Sequence, residues 1–344
     1  MGNITVIGHF DWKENNMIGA VVKARNIHKE LKNQFPEQNI GCVDIYNWKQ
    51  RKIIVLLEIV KAFFQYKNIV LVISDTSTLL MSLFKILKKI FCSNILYAVV
   101  GGDIAELLSQ NKEKISALSV IDSFFVETRD CLQDMHQLGF DNTYLMYNFK
   151  HIKSLNIRDI SDVFVKPFRF CTFSRVIAEK GIIDAVNAIN QINEEYKEVR
   201  CCLDIYGSID EGFKTDFQVL INNNENIKYC GVVDSEHAVE TICPYYCLLF
   251  PTKYQTEGIP GTIIDSFASG VPVITSNWKR CNQMIVDGVN GLVYPFNDYE
   301  AFVEKIKFSI ENPEFIKKLK KACVASYEKY EPGVAIIPLL EHLE

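Results

Sequence analysis

Residues 250–274 read Phe250-Pro-Thr-Lys-Tyr-Gln-Thr-Glu257-Gly258-Ile259-Pro260-Gly261-Thr262-Ile-Ile-Asp265-Ser-Phe-Ala-Ser-Gly270-Val-Pro272-Val-Ile274. An apolar strand ends at Phe250, and a loop with one acid, two glycines and a proline follows. A helix opens at Thr262, Gly270 closes it, and Pro272 leads into the next strand. Two apolar strands joined through a helix are the repeating unit of a parallel sheet. The glycines let a ligand approach the backbone, and the helix start presents free N–H groups and a positive dipole end, so the stretch reads as an anion site. Glu257 before the helix and Asp265 one turn inside it can line the same pocket. Acids beside a phosphate-binding helix end suit the hydroxyls of a sugar. Taken singly, either acid also fits an ordinary helix start or a solvent-facing position.

The same alternation runs outward in both directions. Toward the N-terminus, Asn3–Ile7, Ile40–Asp44, Asn68–Ile73, Ile95–Val100, Ser123–Glu127 and Thr143–Met146 read as strands. Gly19–Asn33, Arg51–Phe64, Ser77–Phe91 and Ile104–Leu108 read as the helices between them. Toward the C-terminus, Arg169–Phe173, Val199–Tyr206, Ile227–Cys230, Leu248–Phe250, Val271–Thr275 and Gly291–Tyr294 read as strands, with helices at Ile182–Ile192 and Thr262–Ser269. The pattern fades in the polar stretch before Lys166. The reading is therefore an α/β protein of two doubly wound, Rossmann-like units in tandem: 1–150, a linker 151–166, 167–325, and a C-terminal helix 326–344 packing back on the first unit. The cleft between two such units is the natural ligand site.

Composition agrees with this. At ~150 residues per domain, 344 residues make two domains. With 48% hydrophobic and 23% charged residues, the chain is neither disordered, collagen-like nor a coiled coil. A net charge of −5 does not suit a surface built to coat nucleic acid, and no nucleic-acid partner is expected. The 11 cysteines are odd in number, without a Cys-x-x-Cys pair, and most lie in apolar runs. They read as reduced, buried thiols of a cytoplasmic protein. The N-terminus lacks the basic and apolar regions of a signal peptide. The longest apolar stretch, Ile53–Phe64, is too short and too charged to span a bilayer.

A second signature follows the first strand of the second unit: Phe173-Ser-Arg175-Val-Ile-Ala-Glu-Lys180-Gly181. An arginine and a lysine at a strand-to-helix crossing can both reach a diphosphate, one as a fork and one as a point charge. Cations at a helix start oppose its dipole and are disfavoured without an anion.

With these two segments in hand, the chain resembles the retaining GT-B glycosyltransferases of glycosyltransferase family 4, of the capsular and exopolysaccharide type. The resemblance covers roughly Phe168 to Tyr294. It implies that Glu257, in the first position of the family's Glu-x7-Glu element, holds donor-sugar hydroxyls. Asp265, in the second position, would hold the ribose of the nucleotide. Asp is one methylene shorter than the family's Glu, so that contact is either direct with a small shift or bridged by water. Arg175 and Lys180 match the Arg-x4-Lys-Gly element that neutralises the donor diphosphate. Gly258, Ile259, Pro260, Gly261 and Thr262 become donor-binding by the same likeness. So do Gly207, in Leu203–Ser208, and Val232, in the Ile227–Val233 segment that cups the base. The Ile285–Val293 segment reads as structural.

The first unit resembles the family only in its order of elements. Gly19 stands where the family has a glycine-rich loop facing the donor phosphates, or is a simple turn glycine. The family's histidine after the fourth strand is missing; Val99-Val-Gly101-Gly102-Asp103 stands there. Gly102 could admit a sugar or a backbone contact. Asp103 either holds a sugar hydroxyl or caps the following helix. His9 faces the cleft or lies uncommitted at the surface. The Arg51–Phe64 and Ser77–Cys92 segments either touch anionic lipid as a peripheral membrane contact or pack as core helices with a lysine edge.

The chain contains no Asp-x-Asp triplet, so no metal and no cofactor is expected. The expected activity is metal-independent retaining transfer of a sugar from a nucleotide-sugar to a lipid-linked or oligosaccharide acceptor in bacterial surface polysaccharide synthesis, at or near the inner face of the membrane. The alternatives are a non-catalytic nucleotide-sugar-binding subunit, or another GT-B enzyme such as an epimerase or phosphorylase.

Overall fold

Side chains of the first strands alternate between two faces, as extended backbone requires. Ile4, Val6, Val70, Val72, Leu96 and Ala98 bury on one face, while Ile7, Ile69, Leu71, Ile95 and Tyr97 bury on the other. The computed structural model describes residues 2–12, 19–73, 78–101, 104–109, 111–156 and 164–344. It divides into two units, 1–150 with 330–344, and 151–329.

The first unit holds β1 (Ile4–Gly8), β2 (Gly41–Asp44), β3 (Asn68–Val72), β4 (Asn94–Ala98), β5 (Ser123–Val126) and β6 (Thr143–Leu145). They form one parallel sheet in the order β2-β1-β3-β4-β5-β6. Helices Lys52–Gln65 and Thr78–Phe91 cover one face; helix Gly19–Gln34 covers the other, together with Ala335, Ile336 and Leu339 of the C-terminal segment. The division between the units falls after Lys329, against the expected 325/326. Tyr327 donates its hydroxyl hydrogen to the Ile152 carbonyl at 3.1 Å, which keeps that turn in the second unit. Of the stretch read as a linker, residues 157–163 lie outside the described residues, while the Leu155 N–H donates to the Ala268 carbonyl at 2.8 Å within the second unit.

The second unit holds β7 (Phe168–Phe173), β8 (Cys201–Tyr206), β9 (Ile227–Gly231), β10 (Cys247–Phe250), β11 (Val273–Ser276) and β12 (Gly291–Tyr294). This sheet is also parallel, in the order β12-β11-β10-β7-β8-β9. The winding reverses between β7 and β10. In an open α/β sheet that switch point, at the carboxyl ends of the strands, is where ligands bind.

None of the 11 cysteines forms a disulfide. Six are buried: Cys131, Cys171, Cys201, Cys247, Cys281 and Cys323. Cys42 and Cys92 are exposed, against the expectation of buried thiols. Cys42 sits on the edge strand β2, and Cys92 follows the end of the Thr78–Phe91 helix at positive φ.

Candidate active site

The two sequence signatures leave the sheet on either side of the switch point. Arg175 and Lys180 follow β7; Thr252, Tyr254 and Glu257 follow β10. Local chemistry pulls the two loops together. Gly181 has φ +71°, and a Cβ there would lie 1.9 Å from the Pro251 carbonyl oxygen, so only glycine lets the turn close on the β10 loop. The Lys253 N–H donates to the Glu179 carbonyl at 2.8 Å, and Lys253 Nζ pairs with Asp184 at 2.9 Å. Gly207, after β8, has φ +136°, and a Cβ there would lie 1.8 Å from the Ser174 carbonyl oxygen. This glycine therefore fixes the path of the chain into Arg175.

At the centre Lys180 Nζ forms an ion pair with Glu257 Oε1, both side chains 13% exposed. Thr252 donates its hydroxyl hydrogen to the same carboxylate oxygen at 3.0 Å and accepts the Tyr254 N–H at 3.2 Å. Its own carbonyl accepts from Ser276 Oγ at 2.6 Å. Lys180 Nζ also lies 5.3 Å from the ring centre of Phe250 and 5.1 Å from that of Tyr254. The ammonium is thus held by one carboxylate and two aromatic faces.

Arg175 is exposed, and its guanidinium has no hydrogen-bond or ion-pair partner among the described residues. It lines a recess of about 340 Å³ with Ile177, Glu179, Asp210, Phe213 and Tyr254. An unpaired guanidinium lining a recess, together with the Lys180 ammonium 5.1 Å from the ring centre of Tyr254 in the same lining, suits a ligand carrying more than one negative charge.

Helix Gly261–Ala268 begins directly after the Glu257 loop. Pro260, at its N-cap, makes no side-chain capping bond, which leaves the first backbone donors for another acceptor. Thr262 donates its hydroxyl hydrogen to the Phe173 carbonyl, tying the helix start to the end of β7. Gly258 is half-buried and Ile259 is buried. Asp265 is 1% exposed, so it does not face solvent. Val232 is exposed, one residue past β9 on the edge of the sheet.

The residues singled out in the first unit are less constrained. Gly19 opens the Gly19–Gln34 helix, and a Cβ there would meet nothing within 4 Å. His9 follows β1 and sets its ring edge against Tyr46, 6.4 Å between centres. Gly102 and Asp103 lie outside the described residues.

Thr252 and Tyr254 were not singled out from the sequence. Their signal was available: both fall in the loop between β10 and Glu257, the side of the switch point that a βαβ reading already marks. The segment read as structural, Ile285–Val293, is held by Asn290, whose amide donates to the Met284 carbonyl and to Ser326 Oγ, each at 3.0 Å.

Residues 154–324 match the family model described as glycosyl transferases group 1. The capsular polysaccharide biosynthesis glycosyltransferase CapM of Staphylococcus aureus is 23% identical over 230 residues, 63% of this chain and 52% of CapM. An uncharacterized glycosyltransferase of Methanocaldococcus jannaschii is 23% identical over 156 residues, 45% of this chain and 39% of that protein. The chain is thus matched over only 39% and 52% of the length of these two relatives. Among solved structures, Anabaena HepE in complex with UDP-glucose is similar at a TM-score of 0.72 and 14% identity over 100% of both chains. Sucrose-phosphate synthase from Thermosynechococcus elongatus is similar at 0.75 and 14% identity, over 99% of this chain and 98% of that one. These likenesses establish the GT-B fold, and residues 154–324 are similar to the glycosyl transferases group 1 family.

Proposed function

We propose that this protein is a retaining, family 4 glycosyltransferase. It takes a sugar from a nucleoside-diphosphate donor and passes it to a lipid-linked or oligosaccharide acceptor in bacterial surface polysaccharide synthesis. The observation that carries this reading is the Lys180–Glu257 ion pair at the switch point of the second sheet, with Arg175 unpaired among the described residues and lining the recess that Tyr254 also lines. Supporting it, HepE was solved with UDP-glucose, and CapM is a capsular polysaccharide glycosyltransferase.

In this account the donor diphosphate enters between Arg175 and the uncapped start of helix Gly261–Ala268. Lys180 transfers its charge from Glu257 to the phosphates, and Glu257, released, accepts hydroxyl hydrogens of the donor sugar. As the sugar–phosphate bond breaks, negative charge grows on the leaving diphosphate, where Arg175, Lys180 and the helix amides stabilise it without a metal. The acceptor hydroxyl attacks from the face that the diphosphate leaves, so the anomeric configuration is kept. Asp265 supports the ribose side. The second unit holds the donor and the first the acceptor, with Gly19 approaching the donor phosphates and His9, Gly102 and Asp103 on the acceptor side.

The test is donor turnover with a panel of nucleotide-sugars, with and without EDTA. Arg175→Ala and Lys180→Ala each lower turnover by about 100- to 1000-fold, and EDTA leaves the wild-type rate unchanged. Near-wild-type turnover in both variants removes the assignment, and loss of activity in EDTA removes the metal-independent mechanism.

A further inference from the structure

The Lys52–Gln65 helix of the first unit buries Val55, Ile59, Ala62 and Phe63 against its sheet. Its outer side is apolar as well. Ile53 (76% exposed), Leu57, Val60 and Phe64 (74%) recur at helical spacing and form one stripe in solvent. The adjacent Thr78–Phe91 helix adds Ile86 and Ile90 (64%), one turn apart. Phe64 meets Phe91 edge to face, 6.0 Å between ring centres, which joins the two helices into a single surface. Single exposed apolar residues are ordinary; a contiguous set across two packed helices marks a surface that meets something else. A helix apolar on all sides is normally covered.

Charge on this face says what covers it. Lys52, Lys61, Lys85 and Lys89 are exposed, and none has an ion-pair partner among the described residues. Lys88 is engaged by Asp122 at 2.6 Å, and the acid on the Lys52–Gln65 helix, Glu58, lies 3.9 Å from Arg51. The surface is therefore apolar at its centre with unpaired lysines around it. Among the described residues no helix is long and apolar enough to cross a membrane.

We propose that this face docks on an anionic phospholipid surface, with Ile53, Leu57, Phe64, Ile86 and Ile90 entering the headgroup–acyl boundary and the four lysines pairing with lipid phosphates. A second copy of the chain is disfavoured as the occupant, because a two-fold interface would set the same unpaired lysines against each other.

The test is co-sedimentation of the full chain with vesicles of phosphatidylglycerol and phosphatidylcholine at 3:7, compared with pure phosphatidylcholine, in 50 mM and 500 mM salt. The protein partitions to the anionic vesicles, and high salt weakens that partition. Lys61→Gln, Lys85→Gln and Lys89→Gln each weaken it by about fivefold, and Leu57→Ser with Phe64→Ser weakens it by about tenfold or more, with melting temperatures unchanged. Equal binding to neutral vesicles, no binding to either, or partition that ignores these substitutions overturns the proposal. So does a concentration-dependent dimer that Leu57→Ser with Phe64→Ser dissolves, which would assign the face to self-association. No sugar donor is present in this assay, so its failure leaves the glycosyl-transfer reading standing.

Discussion

Lys180 and Glu257, 77 residues apart in sequence, form an ion pair across the switch point between β7 and β10. Each comes from a different sequence signature, and each is a residue the proposed reaction needs for the donor. Without a ligand, the two charges satisfy each other in a setting only partly reached by water. Burying either alone would be unfavourable, since an uncompensated charge in such a place costs several kcal/mol. A donor brings a diphosphate for the lysine and hydroxyls for the carboxylate, so it can replace the pair by two better-matched partners. The pair then keeps both side chains in place before the donor arrives, which reduces the ordering cost of binding.

Thr252 is the residue that aims Glu257. Its hydroxyl holds the carboxylate oxygen at 3.0 Å, while its own carbonyl is held by Ser276. Thr252→Val removes that hydrogen bond with little change in shape, and Thr252→Ser restores it. Steady-state kinetics should show kcat lowered by about tenfold in Thr252→Val, in keeping with a lost bond to a charged group of about 1.5 kcal/mol, and rescue in Thr252→Ser. A KM effect with unchanged kcat would place Thr252 outside the reacting geometry.

Three glycines separate structure from binding. Gly181→Ala and Gly207→Ala force a Cβ against a carbonyl oxygen at positive φ, so each should lower stability by about 2 kcal/mol or more in denaturant melts. Gly19→Ala meets open space at a helix start and should leave stability unchanged or raise it by up to about 1 kcal/mol. If Gly19 approaches the donor, as proposed, Gly19→Ala loses turnover while keeping its melting behaviour. Full activity in that variant would return Gly19 to a plain turn position.

Thiol reactivity follows burial. Cys42 and Cys92 should react quickly with a thiol reagent in the native protein, and the six buried cysteines only after unfolding. Burial pushes the thiols of Cys201 and Cys281 up to about 12, from an ordinary value of 9.0. Between pH 9 and about 12 the unfolded chain releases these protons and the folded one does not, so stability present below pH 9 is lost as pH rises through that window. The melting temperature should fall in that range. Mass-spectrometric mapping of the fast-labelled sites checks the first statement, and thermal melts from pH 8 to 11 check the second.

The fold was legible because both sheets are parallel and buried. Strands such as Leu248–Phe250 and Asn68–Ile73 are nearly unbroken apolar runs, and twelve of them were readable with bounds close to those observed. Helices with little to bury were not. Arg129–Gln137 buries only Cys131 and Met135, and Lys214–Ile221 only Phe217, so their periods are faint. At the site, the signatures around Arg175, Lys180 and Glu257 were visible because glycine and proline punctuate them. That Lys180 and Glu257 touch was not visible, since it depends on which strands become neighbours across the switch point. The task of Gly181 was hidden for the same reason: its clash partner, the Pro251 carbonyl, lies on another loop. The exposed cysteines also depend on position, on a sheet edge and past a helix end, which local apolarity does not report.

The most direct test of the central claim, that Lys180 and Arg175 grip a donor diphosphate, is thermal shift with a panel of nucleoside diphosphates and their sugars on the wild type, Arg175→Ala and Lys180→Ala. A ligand at about 100 times its Kd adds about 2.7 kcal/mol to the folded state. The wild type should show a clear rise in melting temperature with at least one nucleotide, and both variants should lose most of that rise. No rise with any nucleotide, or an equal rise in the two variants, would contradict it.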